Sequence, residues 1–267
     1  MMRRTIPLVF AALAALAGRA QEWTEVARIP GPVDAFTTDE LGHLYVRNGD
    51  VLELYDANGR RLARNSTKTF GPIDAIDAFY SLKPMVFSRQ QRQIAVLDNT
   101  LAVQGSVIDL ARNGYPWVTL VCAGVQNAFW CFDERGSSLT RIDAQLRPLA
   151  STGRLDQVLG HAPEPIGMVE SNSRLYVNDP AHGVLVFDLF GAYLRTLPIT
   201  GASMIEVKGD QVFFFRDGHL SSYDPRSFTI ETVPVVSGVE AIGARIERDR
   251  AYVRTKDGLV ILTSARK

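Results

Sequence analysis

The 267-residue chain is 46% hydrophobic and 22% charged, and its 29 basic residues balance its 29 acidic ones. This composition is typical of a soluble globular protein that buries a sizeable core. Because the charges balance, the chain lacks the electrostatic signature of proteins that bind nucleic acid or an anionic membrane surface. The composition therefore argues against both classes of partner.

The N-terminal segment, residues 1–20, has the pattern of a secretory signal peptide. A basic start, MMRRT, precedes a short apolar stretch over residues 6–17, and small residues stand three and one positions before a cut at Gln21. The apolar stretch is too short to span a membrane, and no later stretch is long enough. The residue directly after the cut is glutamine, not the cysteine that would carry a lipid. We expect an exported protein, periplasmic or extracellular, with one domain over residues 21–267. A buried N-terminal helix is the alternative.

A strand pattern that ends in an aspartate and a turn recurs along the chain. It occurs five times, with the aspartates at Asp56, Asp98, Asp143, Asp188 and Asp224. The intervals between them are 42, 45, 45 and 36 residues, which is the period of a propeller blade of four antiparallel strands. We expect these aspartates to form turns rather than to act in catalysis.

The two ends of the chain supply one further blade together. A sixth copy of the pattern, residues 259–263, closes a unit of only three strands, and an unpaired strand, residues 23–29, precedes the first unit. Pairing these segments would remove the exposed edges of an open ring. We therefore predict an all-β, six-bladed β-propeller whose N-terminal strand completes the last blade. A pair of β-sandwiches is the alternative, but it does not account for the repeat. The innermost strands are predicted to begin at Val33, Ile73, Val118, Ile166, Met204 and Ala241.

Two cysteines, Cys122 and Cys131, lie on adjacent predicted strands of the third unit. If Ala123 pairs with Ala128 across the turn, Cys122 faces Phe129, and a disulfide then requires a shifted register. A disulfide and two buried thiols both remain open at this stage.

Several stretches carry a resemblance to a known group of proteins. "LDNTL" at residues 97–101, "FWCFDERGSSLTRID" at 129–143 and above all "LYVNDPAHGVLVFDLFGAYLRTLPI" at 175–199 resemble exported β-propeller proteins of Bacteroidota bacteria. At the level of single blades, the chain is also similar to NHL-type propellers. The resemblance implies a propeller in the periplasm or at the outer membrane, and it supplies no catalytic residues.

Acidic residues are predicted at one end of the central channel. In a propeller, the connections into the innermost strands and the turns between second and third strands share one face, which we call the front face. Asp34, Asp74, Asp77 and Glu240 are expected there, at the starts of innermost strands. Converging carboxylates suit Ca²⁺, as in lactonase-like six-bladed propellers, and this is the one cofactor these residues suggest. The alternative is that they cap strand ends by bonding loop amides.

Three of the four histidines, His161, His182 and His219, are also expected on the front face. They could form a zinc or copper site or supply a general base, although they lack local ligand spacing and hairpin turns often hold solvated polar residues. Tyr115 and Trp117 lie in a long connection of the kind that often carries binding. We take these five residues as candidates for partner binding; packing of the connection over the rim is the alternative for Tyr115 and Trp117.

Motifs typical of enzymes are missing from the sequence. It contains no Gly-x-Ser-x-Gly elbow, no P-loop, no Gly-x-Gly-x-x-Gly after a strand and no sialidase-type Asp-box. We therefore expect a non-catalytic scaffold or accessory subunit that binds another protein of the bacterial cell envelope. The alternatives are a Ca²⁺- or Zn²⁺-dependent hydrolase or lyase that uses the central channel, and a glycan or peptide sensor.

Overall fold

Six antiparallel sheets of four strands each form the blades of a propeller in the computed structural model, which describes residues 23–66, 68, 70–235 and 240–264. The first strands of neighbouring blades contact one another, so they surround the central channel. The fold prediction is confirmed. The predicted signal peptide, residues 1–20, lies outside the described residues.

Blades 1 to 3 are each built from four consecutive strands, ordered from the channel outward. Blade 1 consists of β2 (Ala35–Thr38), β3 (Leu44–Asn48), β4 (Val51–Tyr55) and β5 (Arg61–Ser66). Blade 2 consists of β6 (Ala75–Asp77), β7 (Met85–Ser88), β8 (Gln93–Val96) and β9 (Ile108–Asp109). Blade 3 consists of β10 (Val118–Gly124), β11 (Ala128–Asp133), β12 (Ser138–Ile142) and β13 (Pro148–Ser151).

Blades 4 to 6 follow the same order. Blade 4 consists of β14 (Gly167–Ser171), β15 (Arg174–Asp179), β16 (Gly183–Asp188) and β17 (Tyr193–Leu197). Blade 5 consists of β18 (Met204–Lys208), β19 (Gln211–Arg216), β20 (His219–Asp224) and β21 (Thr229–Thr232). Blade 6 consists of β22 (Gly243–Glu247), β23 (Arg250–Thr255), β24 (Gly258–Ser264) and the N-terminal β1 (Trp23–Pro30). A short helix, α1 (Leu155–Leu159), lies between blades 3 and 4.

The ring closes through the pairing of the first and last strands. β1 runs antiparallel to β24, from Trp23 opposite Ser264 to Pro30 opposite Gly258. Gly258 has a φ of +150°, and a Cβ at this position would lie 2.2 Å from the carbonyl oxygen of Ile29. Only glycine therefore allows the two strands to approach this closely.

Apolar clusters fill the spaces between neighbouring blades. Tyr45 and Leu54 of blade 1, for example, pack with Val86 and Ala95 of blade 2, and equivalent clusters lie at the other five blade contacts. The middle strands are buried on both sheet faces, which explains why they are apolar almost throughout. No helix among the described residues is long and apolar enough to cross a membrane.

The recurring aspartates form turns, as predicted. Asp188 Oδ1 accepts hydrogen bonds from the backbone N–H groups of Phe190 and Ala192, both at 2.9 Å. Asp56, Asp98 and Asp143 make the same pair of bonds two and four residues ahead, and Asp224 makes the first of them. Each carboxylate therefore holds the turn between the third and fourth strands of its blade.

The register around the cysteines differs from the prediction. Gly124, not Ala123, pairs with Ala128, because residues 125–127 form a 3₁₀ turn that takes up three residues. Cys122 consequently faces Trp130 across the ladder and packs towards blade 4, whereas Cys131 packs towards blade 2. Both cysteines are buried free thiols, so the disulfide alternative is wrong.

Candidate functional site

Two histidines and an aspartate come together on the front face of blade 4. His161 lies in the connection into β14, Asp179 is the last residue of β15, and His182 lies in the turn between β15 and β16. The imidazole rings of His161 and His182 are stacked, with centroids 3.6 Å apart and planes inclined by 20°. One ligand atom of each of the three side chains lies within 4.8 Å of the others. We call these three residues the blade-4 cluster.

The turn that carries His182 is held by Asp179 and shaped by a glycine. Asp179 Oδ1 accepts hydrogen bonds from the backbone N–H groups of Ala181 at 3.1 Å and His182 at 3.3 Å. Gly183 follows with a φ of +119°, and a Cβ there would lie 2.3 Å from the carbonyl oxygen of Leu197. Because any larger residue would clash with this backbone oxygen, the chain can turn into β16 only at glycine.

The connection that carries His161 is tied to the same aspartate. Helix α1 ends at Leu159 and is followed by Gly160, whose left-handed φ of +76° terminates the helix. The backbone N–H of Glu164 then donates to Asp179 Oδ2 at 3.2 Å. Asp179 therefore fixes both backbone segments that contribute histidines.

The three side chains of the cluster differ in their environment. The Asp179 carboxylate is fully buried and lies 3.0 Å from His182 Nδ1. The His182 side chain is 37% exposed, so solvent reaches the site. His161 Nδ1 is buried and has no hydrogen-bond partner among the residues that the structure describes. Two imidazoles and one carboxylate are a ligand set that suits zinc and other first-row transition metals.

The third histidine predicted for this face lies apart from the cluster. His219 is exposed and its Nδ1 contacts the carbonyl oxygen of Asp217 at 2.7 Å, in the turn that begins β20. His43, the fourth histidine, lies on the opposite face, where it is part-buried and pairs with Asp39 through Nδ1 and Oδ2 at 2.9 Å. The structure therefore brings together two of the three predicted histidines, with an aspartate that the sequence analysis had not selected.

The four predicted carboxylates do not come together. Asp34 and Asp74 precede innermost strands, as predicted, and their carboxylates accept the backbone N–H groups of residues 49 and 89, both at 2.7 Å. Glu240 forms an exposed ion pair with Lys256. Among the described residues, the blade-4 cluster is the one group of three or more such side chains with ligand atoms this close.

Asp77 lies at a different place from the one predicted. It is the last residue of β6, not the first, because that strand has only three residues and begins at Ala75. Its carboxylate accepts hydrogen bonds from the backbone N–H groups of Phe79 and Ala123, both at 2.8 Å. Burial raises the pKa of the Asp77 carboxyl, although these two hydrogen bonds lower it.

The central channel is lined by charged side chains that sequence reasoning missed. Cavities of about 180 and 460 Å³ occupy its front and back halves. Glu170 accepts hydrogen bonds from Trp130 Nε1 and from the backbone N–H of Val125, both at 2.8 Å. Glu206 forms an ion pair with Arg245 at 2.9 Å. The sequence feature that could have predicted these channel residues is a charged residue within an otherwise apolar innermost strand, such as Glu170 in Gly167–Ser171.

Trp117 presents a large aromatic surface on the front face between blades 2 and 3. Its side chain is 47% exposed, and the Arg135 guanidinium lies 5.0 Å from the ring centroid. Tyr115, by contrast, is half-buried and donates from its hydroxyl to the carbonyl oxygen of Leu146 at 3.0 Å. Burial raises the pKa of Tyr115. Of the two aromatic candidates, Trp117 is the one available to a partner.

Comparison with known proteins shows likeness in fold. A scan against protein-family models finds no match, and a search of curated proteins finds none either. A streptogramin B lyase structure matches with a TM-score of 0.63 and 14% identity, over 91% of this chain and 97% of that chain. The Neurospora crassa Pan2 WD40 domain gives 0.59 and 9%, over 93% and 97%. BBS1N in complex with ARL6DN gives 0.55 and 15%, over 88% and 78%. At such identities, the likeness concerns the propeller fold alone.

Proposed function

We propose that the chain is an exported, non-catalytic propeller that binds another protein of the bacterial cell envelope through its front face. The observation that carries this proposal is the contact between Trp117 and Arg135. Tryptophan and arginine are the residues most enriched among those that dominate binding energy at protein interfaces. An exposed indole with a guanidinium above its ring offers a partner both an apolar surface and hydrogen-bond donors.

The backbone holds this pair in place before any partner arrives. Arg92 Nε donates to the carbonyl oxygen of Pro116 at 3.2 Å. The backbone N–H of Glu134 donates to the carbonyl oxygen of Trp117, also at 3.2 Å. Tyr115 anchors the same connection through its bond to blade 3. Because the segment is already ordered, little conformational entropy would be lost on binding.

The fold neighbours are compatible with this role but do not decide it. BBS1N, which is similar in fold, is in complex with ARL6DN, and the streptogramin B lyase, also similar in fold, is an enzyme. Export rests on the signal-peptide pattern, and the bacterial envelope rests on the resemblance to Bacteroidota proteins; both remain predictions. The proposal for this chain depends on its own front face.

The geometry gives less support to a metal-dependent hydrolase or lyase in the channel. Such an enzyme needs carboxylates free to bind the ion or to move protons. Asp77 and Glu170 instead accept backbone N–H groups, and Glu206 is bound by Arg245. We therefore place the scaffold ahead of the enzyme.

Affinity capture with two variants of the proposed site and one control variant tests the proposal. The tagged full chain is used as bait in envelope extract, beside Trp117→Ala, Arg135→Ala and Phe190→Ala. Phe190 is 82% exposed but lies in the turn between β16 and β17, on the opposite face. We expect a stoichiometric protein partner whose recovery falls at least tenfold with Trp117→Ala and Arg135→Ala and is unchanged with Phe190→Ala.

Two results would contradict the proposal. Full recovery with Trp117→Ala would exclude this binding site, and loss of the partner with Phe190→Ala alone would place binding on the back face. Thermal melting of each variant verifies that it is folded, which is expected because all three side chains are exposed.

A further inference from the structure

We propose that the blade-4 cluster, His161, Asp179 and His182, is a binding site for a single zinc ion. This inference goes beyond partner binding and does not depend on Trp117 and Arg135, which carry the proposed function. Zinc is bound in proteins by imidazole nitrogens and carboxylate oxygens, and sites with three protein ligands leave one position open. The cluster supplies two imidazoles and one carboxylate.

The distances in the cluster are close to those that zinc requires. Zinc bonds to nitrogen and oxygen are about 2.0–2.2 Å long, so two ligand atoms of one tetrahedral ion lie roughly 3.4 Å apart. The candidate ligand atoms lie within 4.8 Å of one another. Because the two rings are stacked nearly parallel, their nitrogen lone pairs do not converge as the rings stand, and binding of one ion requires one imidazole to turn out of the stack into another rotamer.

The charge of Asp179 provides an independent argument for a cation. Its carboxylate is fully buried, and its hydrogen-bond donors are three backbone N–H groups and the His182 ring. Among the described residues, no lysine or arginine forms an ion pair with it. Its one partner that can carry a positive charge is therefore the His182 ring, which does so only when protonated, and a bound divalent cation would supply a permanent charge.

The unused nitrogen of His161 gives a second argument. Its Nδ1 is buried and has no hydrogen-bond partner in the part of the chain that the structure describes. A buried polar atom without a partner is unfavourable, and a bond to a metal ion would satisfy it. The ring that carries this nitrogen lies against the ring of His182, with centroids 3.6 Å apart.

The site is rigid on one side and open on the other. The turn is fixed by Gly183 and by the hydrogen bond from the backbone N–H of Gly201 to the carbonyl oxygen of Pro180, at 2.8 Å. The exposed edge of His182 lets an ion reach the site from solvent. The fourth coordination position would face the front side, where water or a side chain of a bound protein could occupy it.

A similar pair elsewhere in the chain serves as an internal control. His43 and Asp39 make the same Nδ1–Oδ2 contact, at 2.9 Å, but belong to no comparable cluster among the described residues. If zinc needed only a histidine beside an aspartate, this pair would bind as well. The proposal instead requires the second imidazole, which only the blade-4 cluster has.

Calorimetric titration with ZnCl₂ tests the site directly. The full chain is stripped with a chelator and titrated beside His161→Ala, His182→Ala, His43→Ala and His219→Ala. We expect one ion per chain, with a Kd that rises at least tenfold in His161→Ala and His182→Ala and stays unchanged in the other two variants. Cobalt in place of zinc should give the visible absorption of a four-coordinate site, and this absorption should be lost in His161→Ala.

Two outcomes would overturn the inference: no saturable binding, or binding that both cluster variants retain at full strength. Melting of the zinc-free variants verifies that they are folded. His161→Ala is expected to fold, because the Nδ1 of His161 makes no hydrogen bond to the described residues. Should a variant fail to fold, anomalous scattering from zinc-soaked crystals of the unaltered chain decides the question, since the ion must lie between the two imidazoles.

Discussion

The carboxylate of Asp77 in blade 2 accepts a hydrogen bond from the backbone N–H of Ala123 in blade 3, at 2.8 Å. Two other channel carboxylates also reach a neighbouring blade: Glu170 accepts from Val125, and Glu206 accepts from Ile246. Carboxylates on innermost strands thus hold adjacent blades together where the strands are too far apart to form a ladder. Their role in the structure is to stabilise the ring.

The raised pKa of Asp77 predicts a specific pH dependence of stability. Because burial raises this pKa, the folded chain binds a proton at Asp77 more tightly than the unfolded chain does. The contribution of Asp77 to the free energy of unfolding therefore falls as the pH rises from the ordinary aspartate value, about 3.9, through the raised native pKa. Asp77→Asn removes this dependence, so wild type should lose stability relative to the variant as the pH rises.

Chemical denaturation of both proteins from about pH 4 to pH 8 measures the effect. The quantity to follow is how the difference in the free energy of unfolding between wild type and Asp77→Asn changes with pH. The size of this difference at any one pH is less informative, because the asparagine side chain has one fewer acceptor oxygen and this lowers the stability of the variant equally at every pH. An increase in the stability of wild type relative to Asp77→Asn as the pH rises would show that the amide hydrogen bonds outweigh burial.

We expect two substitutions of the turn aspartate Asp188 to differ in their effect on the free energy of unfolding. Both backbone N–H groups that Asp188 binds donate to the same atom, Oδ1. Asp188→Ala removes both bonds and should lower the free energy of unfolding by about 1–2 kcal/mol. Asp188→Asn keeps an oxygen in that place and should stay close to wild type. Urea denaturation measures both, and equal losses would mean that the carboxylate charge, not the acceptor, holds the turn.

The sequence predicts the ring well because its signals are local and repeated. An aspartate turn binds residues two and four positions ahead, so a short window of sequence contains the whole interaction. The blade-4 cluster is different, since His161 and His182 are 21 positions apart. Their contact depends on the path of the chain after α1 and on Asp179, which the sequence presents only as one more turn residue. Asp77 was misplaced for a related reason, because the end of a three-residue strand cannot be located from its pattern.

Because β1 closes the ring, we expect substitutions of its buried residues to lower the free energy of unfolding of the propeller. Ile29 of β1 is buried in the cluster between blades 6 and 1, whereas Val26 on the same strand is exposed. Ile29→Ala should lower the free energy of unfolding by about 2–5 kcal/mol, because it leaves a cavity at the contact that closes the ring. Val26→Ala should change it by less than about 0.5 kcal/mol. Thermal or urea unfolding of the two variants compares them, and a small loss in Ile29→Ala would show that β1 contributes little to closure.

Because both cysteines are buried free thiols, we expect reducing agents to leave the stability of the folded protein unchanged. Burial raises the pKa of Cys131 to about 12 and also raises the pKa of Cys122. The thiolate is the reactive form, and with such a pKa roughly one Cys131 thiol in 10⁵ is ionised at pH 7. Neither cysteine should react with Ellman's reagent while the chain is folded, both should react in guanidinium, and dithiothreitol should leave the Tm unchanged. Phe190→Cys supplies an exposed thiol as the positive control. If unfolded wild type released no thiol, the two side chains would have to be cross-linked, and the register that places Cys122 opposite Trp130 would be wrong.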